Sequence, residues 1–253
     1  MKNTKILSVM YEKGGVGKTT TAVNTAAILA AKGFKILLVD LDPQSYATGY
    51  FSLYDDDHPS TLELLKGEDP KNIIRRTPTK NLDLLPSAHR LADAENYLTS
   101  LPCGSEFVLL DSLDKIKSDY DFIIFDCPPA GMRIKTNAMT AADYLILPTI
   151  PDDYAIQGLI CITKQIAACK RSNPSLKVAG VLLTLDEATA NKKAYKAALQ
   201  NQKIFPCFRQ TIRKNTTLSE AINAHKPISE YKPACNGAKD YAAFVDELLE
   251  VIK

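Results

Sequence analysis

Short apolar runs recur along the chain, each followed by a polar turn and then by a stretch in which apolar positions return every three or four residues. The runs at residues 6–10, 35–40, 81–86, 121–126, 144–148 and 176–184 read as buried strands. Helical spacing covers residues 19–32, ended by Gly33, and then 61–66, 92–101, 106–117, 154–169, 191–201 and 238–252. Strands that are apolar throughout need cover on both faces, and helices alternating with them supply it. The pattern therefore predicts an α/β fold, a mostly parallel twisted sheet with helices on both faces. Residues 1–253 show no repeat, low-complexity run or linker and are expected to form a single domain. Ligands of such folds bind beyond the carboxyl ends of the strands.

At that end of the first strand lies residues 12–19, EKGGVGKT. Glycines let successive backbone N–H groups turn inward around a phosphate, and the helix that follows adds its positive end. Lys18 would reach the β- and γ-phosphates and the Thr19 hydroxyl would ligate magnesium. The usual loop carries glycine six residues before its lysine. Here Glu12 holds that place, and the extra lysine, Lys13, marks a deviant subclass. The plainer reading is a glycine-rich turn with chance lysines.

Two acids close the next strand in VDLDPQ, residues 39–44. A period of two puts Asp40 and Asp42 on one face, where one can order a magnesium shell and the other an attacking water. Alternatively they cap the following turn. Asp126 ends a third strand after four apolar residues, and a carboxylate there is costly unless paired or near a metal.

Composition narrows the partners. A net charge of +2 over 253 residues creates no global field for nucleic acid or acidic membrane, so such binding needs a local patch. Arg209, Arg213 and Lys214, with Lys203 nearby, are the candidates for DNA; as ordinary surface charges they would mean nothing. Lys192, Lys193 and Lys196 read as a solvated helix face that could add to the patch. The six cysteines are scattered with no C-x-x-C pair, and the chain has no signal peptide or long apolar span, so a cytoplasmic protein with reduced thiols is expected. His58, His89 and His225 are too dispersed for a metal set.

These segments together resemble the ParA/MinD superfamily of deviant P-loop ATPases, and within it the Soj-type partition proteins. Residues 13–20 are similar to the signature loop, 37–44 (LLVDLDPQ) to the second motif and 121–129 (DFIIFDCPP) to the third. The flanks LDLLPS (82–87), NAMTAAD (137–143), GVLLT (180–184) and LSEA (218–221) agree. The resemblance implies that Lys13, Gly14, Gly15, Val16, Gly17, Lys18, Thr19 and Thr20 cradle ATP, that Thr19, Asp40 and Asp126 serve Mg2+, and that Asp42 activates water. It implies that Lys13 reaches the partner's phosphates in an ATP-bound homodimer. It implies further a nucleoid-associated protein that binds double-stranded DNA without sequence preference, with a centromere-binding ParB-like partner stimulating hydrolysis.

The chain departs from that pattern in three places. Tyr11 and Glu12 stand where Asn-Gln is usual, and residues 212–217 read IRKNTT in place of Ile-Pro-Arg-Asn-Val-Arg. Lys5 already opens the first strand, so the helix-turn-helix arm of some plasmid relatives is not expected. Three other readings share features with this one. A MinD-like membrane ATPase would need a basic amphipathic last helix, but Asp240, Asp246, Glu247 and Glu250 make that face acidic, and no membrane contact is expected. A metabolic synthetase of the dethiobiotin or cobyrinate group shares the loop but not DPQ and LSEA. A nucleotide-binding scaffold with little turnover would follow if Glu12 impairs hydrolysis.

Overall fold

The computed structural model describes residues 4–187 and 189–253. Its seven strands form one sheet: β1 (Lys5–Val9), β2 (Ile36–Asp40), β3 (Arg75–Arg76), β4 (Leu82–Leu85), β5 (Phe122–Asp126), β6 (Tyr144–Thr149) and β7 (Lys177–Leu183). Their spatial order is β3-β4-β2-β5-β1-β6-β7, and every pairing is parallel except β3 with β4. The expected fold class holds, with the two-residue β3 as the antiparallel exception.

The central strands are buried on both faces, as their unbroken apolar sequences require. One face carries α1 (Lys18–Ala31), α2 (Tyr46–Tyr50), α10 (Thr216–Asn223), α11 (Ile228–Tyr231) and α12 (Asn236–Val251), whose apolar residues join Leu7, Leu38 and Ile124. The other carries α3 (Thr61–Leu65), α5 (Ala94–Ser100), α6 (Val108–Asp114), α7 (Met132–Ala141) and α8 (Ala155–Cys169), joined by Leu37, Ile123 and Phe125. The short α4 (Pro70–Ile73) precedes β3, and α9 (Ala190–Asn201) follows β7. Tyr241, Phe244, Val245 and Leu248 of α12 are buried in the core beside α1, so its apolar face is committed to the fold. Among the described residues no helix is long and apolar enough to cross a membrane.

The pattern expected helices over 92–101 and 106–117; the structure gives the shorter α5 and α6 and adds α2, α4, α7, α10 and α11. Two residues of the NAMTAAD flank act as fasteners. Asp143 accepts a hydrogen bond from Ile6 N (2.8 Å), fixing the start of β1. Asn137 accepts from Leu109 N (3.0 Å) and donates to Ser105 O (2.8 Å), joining α7 to α6.

Candidate active site

β1 stops at Val9 and α1 begins at Lys18, leaving a turn that wraps the helix's N-terminus. Gly15 and Gly17 adopt φ of 73° and 81°, a region side chains resist, which explains glycine at both places. Gly17 caps α1 without any side-chain bond, so the first-turn N–H groups stay open to an anion. The Val16 side chain is buried, and its carbonyl accepts from Thr184 Oγ1 (2.8 Å), which also donates to Thr149 O (3.2 Å). Thr184, the last residue of GVLLT, thus pins the loop from β7's end.

Lys18 is 7% exposed and donates to Lys13 O (3.1 Å), an arrangement that curls the loop around its ammonium. Burial lowers its pKa, while Asp126 and Asp42 act to raise it. Lys18, Thr19 and Asp42 line a cleft of about 750 Å³ with Gly15, Tyr46 and His225. Lys13 points elsewhere: its ammonium pairs with Asp152 and lies 6.0 Å from the centre of the Tyr154 ring.

Parallel pairing of β2 with β5 sets Asp40 beside Asp126 in register. Both carboxylates are fully buried, but their surroundings differ. Asp40 accepts from Thr48 N (2.8 Å), Thr48 Oγ1 (2.7 Å) and Asp42 N (3.1 Å). Its pKa still rises to about 6, because burial outweighs these bonds. Asp126 has no hydrogen-bond partner on either oxygen among the described residues. Burial lifts its pKa well above the usual carboxylate value, Asp40 adds to the rise, and Thr19 and Lys18 oppose it. An orphaned buried carboxylate beside a threonine hydroxyl offers oxygen ligands that a hydrated magnesium ion fits.

Asp42 lies just beyond β2, so it reaches the cleft from a turn and not from the strand face. Ser87 Oγ donates to Asp42 O (2.7 Å), Thr61 Oγ1 to Asp40 O (2.8 Å), and Ser87 N to Thr48 Oγ1 (2.9 Å). The sequence reading gave no role to Thr48, Thr61 or Ser87. Ser87 stood in the LDLLPS flank, whereas Thr48 and Thr61 carried no signal. Asp40 is placed next to the metal-fitting set, but its oxygens already serve Thr48 and the turn. It shapes the Asp42 loop.

Glu12 is drawn away from the loop: its Oε1 accepts from Gln165 Nε2 on α8 and lies 3.9 Å from Lys135 Nζ on α7. The three DNA candidates each face carboxylates. Arg213 grips Asp240 through two bonds (2.6 and 2.9 Å), Arg209 reaches Glu247 (3.3 Å) and Glu250 (3.5 Å), and Lys214 lies 2.9 Å from Glu187. Lys192 and Lys214 hold the Glu187 carboxyl down at about 2. A surface cleft of about 610 Å³ brings Arg213 and Lys214 together with Lys193 and Lys196 of α9, and Arg209 lies outside it.

A glycine-wrapped helix N-terminus at the carboxyl end of a parallel sheet, with a lysine-threonine pair in its first turn and buried acids on two neighbouring strands, defines a P-loop nucleotide-binding protein. The AAA domain family matches residues 4–178. The chain is similar to the sporulation initiation inhibitor protein Soj of Bacillus subtilis (strain 168), 36% identical over 249 residues, spanning 96% of this chain and 98% of that protein. It is 35% identical over 251 residues to the chromosome partitioning protein ParA of Myxococcus xanthus (strain DK1622), spanning 97% and 88%. Among solved structures it resembles cobyrinic acid a,c-diamide synthase of Mycobacterium smegmatis with bound ATP analog and magnesium, at TM-score 0.85 and 32% identity, covering 98% of this chain and 95% of that one. The chain belongs to the ParA/Soj-type ATPases.

Proposed function

We propose that this protein is a partitioning ATPase that binds magnesium ATP, dimerises around it, binds DNA without reading sequence, and hydrolyses the nucleotide when a centromere-binding ParB-like partner engages. The observation that carries the reading is the Asp126 carboxylate, without a hydrogen-bond partner among the described residues and held beside Lys18 and Thr19 at the mouth of the phosphate loop. Lys18 and the open N–H groups of α1 bind the phosphates, and Gly14, Gly15, Gly17 and Thr20 let the backbone close on them. Thr19 and Asp126 hold magnesium, with Asp40 behind them. The metal, when bound, supplies a charge that polarises the transferring phosphoryl group. Asp42, on a turn clamped by Ser87, orients the attacking water. Lys13 leaves Asp152 to reach the phosphates of a second copy.

DNA contact is assigned to the cleft of Arg213, Lys214, Lys193 and Lys196, where phosphate oxygens would replace Asp240 and Glu187 as partners. Similarity to the Mycobacterium synthase also raises a synthetase reading, so a cobyrinate-type carboxylic acid belongs among the ligands assayed.

The deciding experiment measures fluorescent ATP binding and phosphate release, with and without magnesium, DNA and the carboxylic acid. Lys18→Ala and Thr19→Ala are expected to abolish magnesium-dependent binding, and wild-type turnover to respond to DNA and not to the acid. Unaltered nucleotide affinity in both variants removes the phosphate-loop assignment. Turnover that needs the acid replaces partition with synthesis.

A further inference from the structure

Glu12, the acid that interrupts the usual loop pattern, is part of a structure that the phosphate site does not itself require. Lys135 sits in the first half of α7 with 8% of its surface exposed, and a buried ammonium is unstable without a carboxylate or acceptor. It has one of each: Lys135 Nζ donates to Pro129 O (3.4 Å), and Glu12 Oε1 lies 3.9 Å away. The same Glu12 oxygen accepts from Gln165 Nε2 on α8. One residue earlier, the buried Tyr11 hydroxyl donates to Ala155 O (2.8 Å) at the start of α8. A Cβ added at Gly158 would stand 2.3 Å from that hydroxyl, so the two residues fit only as a pair. Residues 11 and 12 thus tie the base of the phosphate loop to α8, and Glu12 alone extends the tie to α7.

Where the tie ends matters for the site. Pro129 lines the cleft assigned to the nucleotide and lies three residues after Asp126, whose carboxylate has no hydrogen-bond partner among the described residues. We infer that Glu12 and Lys135 form a positioning pair, a clasp from the phosphate loop through Lys135 to the Pro129 carbonyl, which sets the distance between Asp126 and Thr19 and so the fit of the metal. The inference rests on the assignment of magnesium to those two residues. Lys135 is also close enough to lower the pKa of Lys18, so the clasp places a second cation behind the phosphate lysine.

The test titrates magnesium into the full chain with fluorescent ATP, alongside thermal melts and single-turnover hydrolysis. Glu12→Gln retains the Gln165 contact and removes only the charge, and Lys135→Met removes the cation. Each is expected to raise the magnesium concentration at half-saturation about 10-fold, the scale of lost outer-shell partners. Metal-free nucleotide affinity is expected to stay within about twofold. The double variant is expected to be no worse than either single, and Lys135→Arg to recover most of the loss. A Glu12→Gln protein with wild-type magnesium response overturns the clasp, as do additive losses in the double variant. Weakened nucleotide affinity without metal overturns it too, showing general damage to the loop. A wild type that binds no magnesium nucleotide defeats both this inference and the assigned function, whereas failure of the clasp leaves the wild-type titration intact.

Discussion

Replacing Asp126 by Asn is expected to stabilise the metal-free protein at pH 7.5 while abolishing its stabilisation by magnesium ATP. Burial lifts Asp40 from 3.8 to about 6 and Asp126 in the same direction. The folded chain therefore holds protons that the unfolded chain has released. The stability these groups permit is fully present below the unfolded value and lost as pH rises through the folded one. For Asp40 the rise of about two units corresponds to roughly 3 kcal/mol at 1.36 kcal/mol per unit. Moving from pH 7.5 to 5 recovers about 1.4 kcal/mol of it, or roughly 3–5 °C in Tm for a domain of this size. Asp126 adds to that change, because the two acids titrate as a pair across β2 and β5. Asn at 126 removes the charge, and among the described residues neither carboxylate oxygen has a hydrogen-bond partner to lose. Melts in EDTA at both pH values, for wild type and Asp126→Asn, measure the effect. The variant should melt higher at pH 7.5 and show a shallower pH dependence. With magnesium ATP at 100 times its Kd, the wild type should gain about 2.7 kcal/mol and the variant little. A wild-type Tm that is flat or falls between pH 7.5 and 5, or an EDTA-form variant that melts lower, refutes the reasoning.

Three further outcomes are expected. Asp42→Ala should bind ATP and dimerise but release phosphate at least about 100-fold more slowly in single-turnover assays, because the loop is kept and the water is not oriented; wild-type turnover would give Asp42 another role. Gly158→Ala should lose about 1–3 kcal/mol in denaturant melts through collision with Tyr11, and Tyr11→Leu in the same chain should restore part of it. With the four cations of the cleft in each protomer contacting about eight phosphates per dimer, the log–log salt slope of DNA binding should be near about −7, and Arg213→Ala/Lys214→Ala should reduce its magnitude by about 3–4 on every duplex tested; an unchanged slope moves the DNA surface elsewhere.

What the sequence revealed and what it hid follow from how each residue gets its role. Apolar strands and long helices were legible because their periodicity is local, and the phosphate loop because its glycines serve a local backbone shape. The helix α7 was missed because MRIKTNAMTA mixes polar and small residues, and its burial comes from neighbours distant in sequence. For α10 a signal was present: Asn215 caps it by accepting from Thr217 N (2.9 Å), an asparagine just before LSEA. β3 is two arginines at a sheet edge, with no pattern to read. Spacing placed Asp40 and Asp42 near the loop but could not show that Asp40 is consumed by Thr48 while Asp42, accepting from Gln44 N (2.9 Å), still lines the cleft. The same limit applied to the DNA patch, where Asp240 lies 27 residues beyond Arg213 and Glu187 lies 27 before Lys214. Charges counted along the chain gave an attractive patch; paired in space, they are largely neutralised.

The sheet's two borders bear on how this protein can recruit anything at all. Beyond β7, the chain's own segment 206–214 already takes the outward-facing groups, with Val181 N donating to Pro206 O (2.8 Å), Phe208 N to Val181 O (3.0 Å) and Ile212 N to Leu183 O (2.8 Å). At the opposite border β3 offers only Arg75 and Arg76, too short and too cationic to template another strand. Among the described residues neither border therefore offers a long open ladder for a guest peptide, or for a second copy of the chain, to extend. Helix faces, loops or a shared ligand are then the surfaces for a filament or complex, and a partner's contacting segment would be selected for side chains more than for β-propensity.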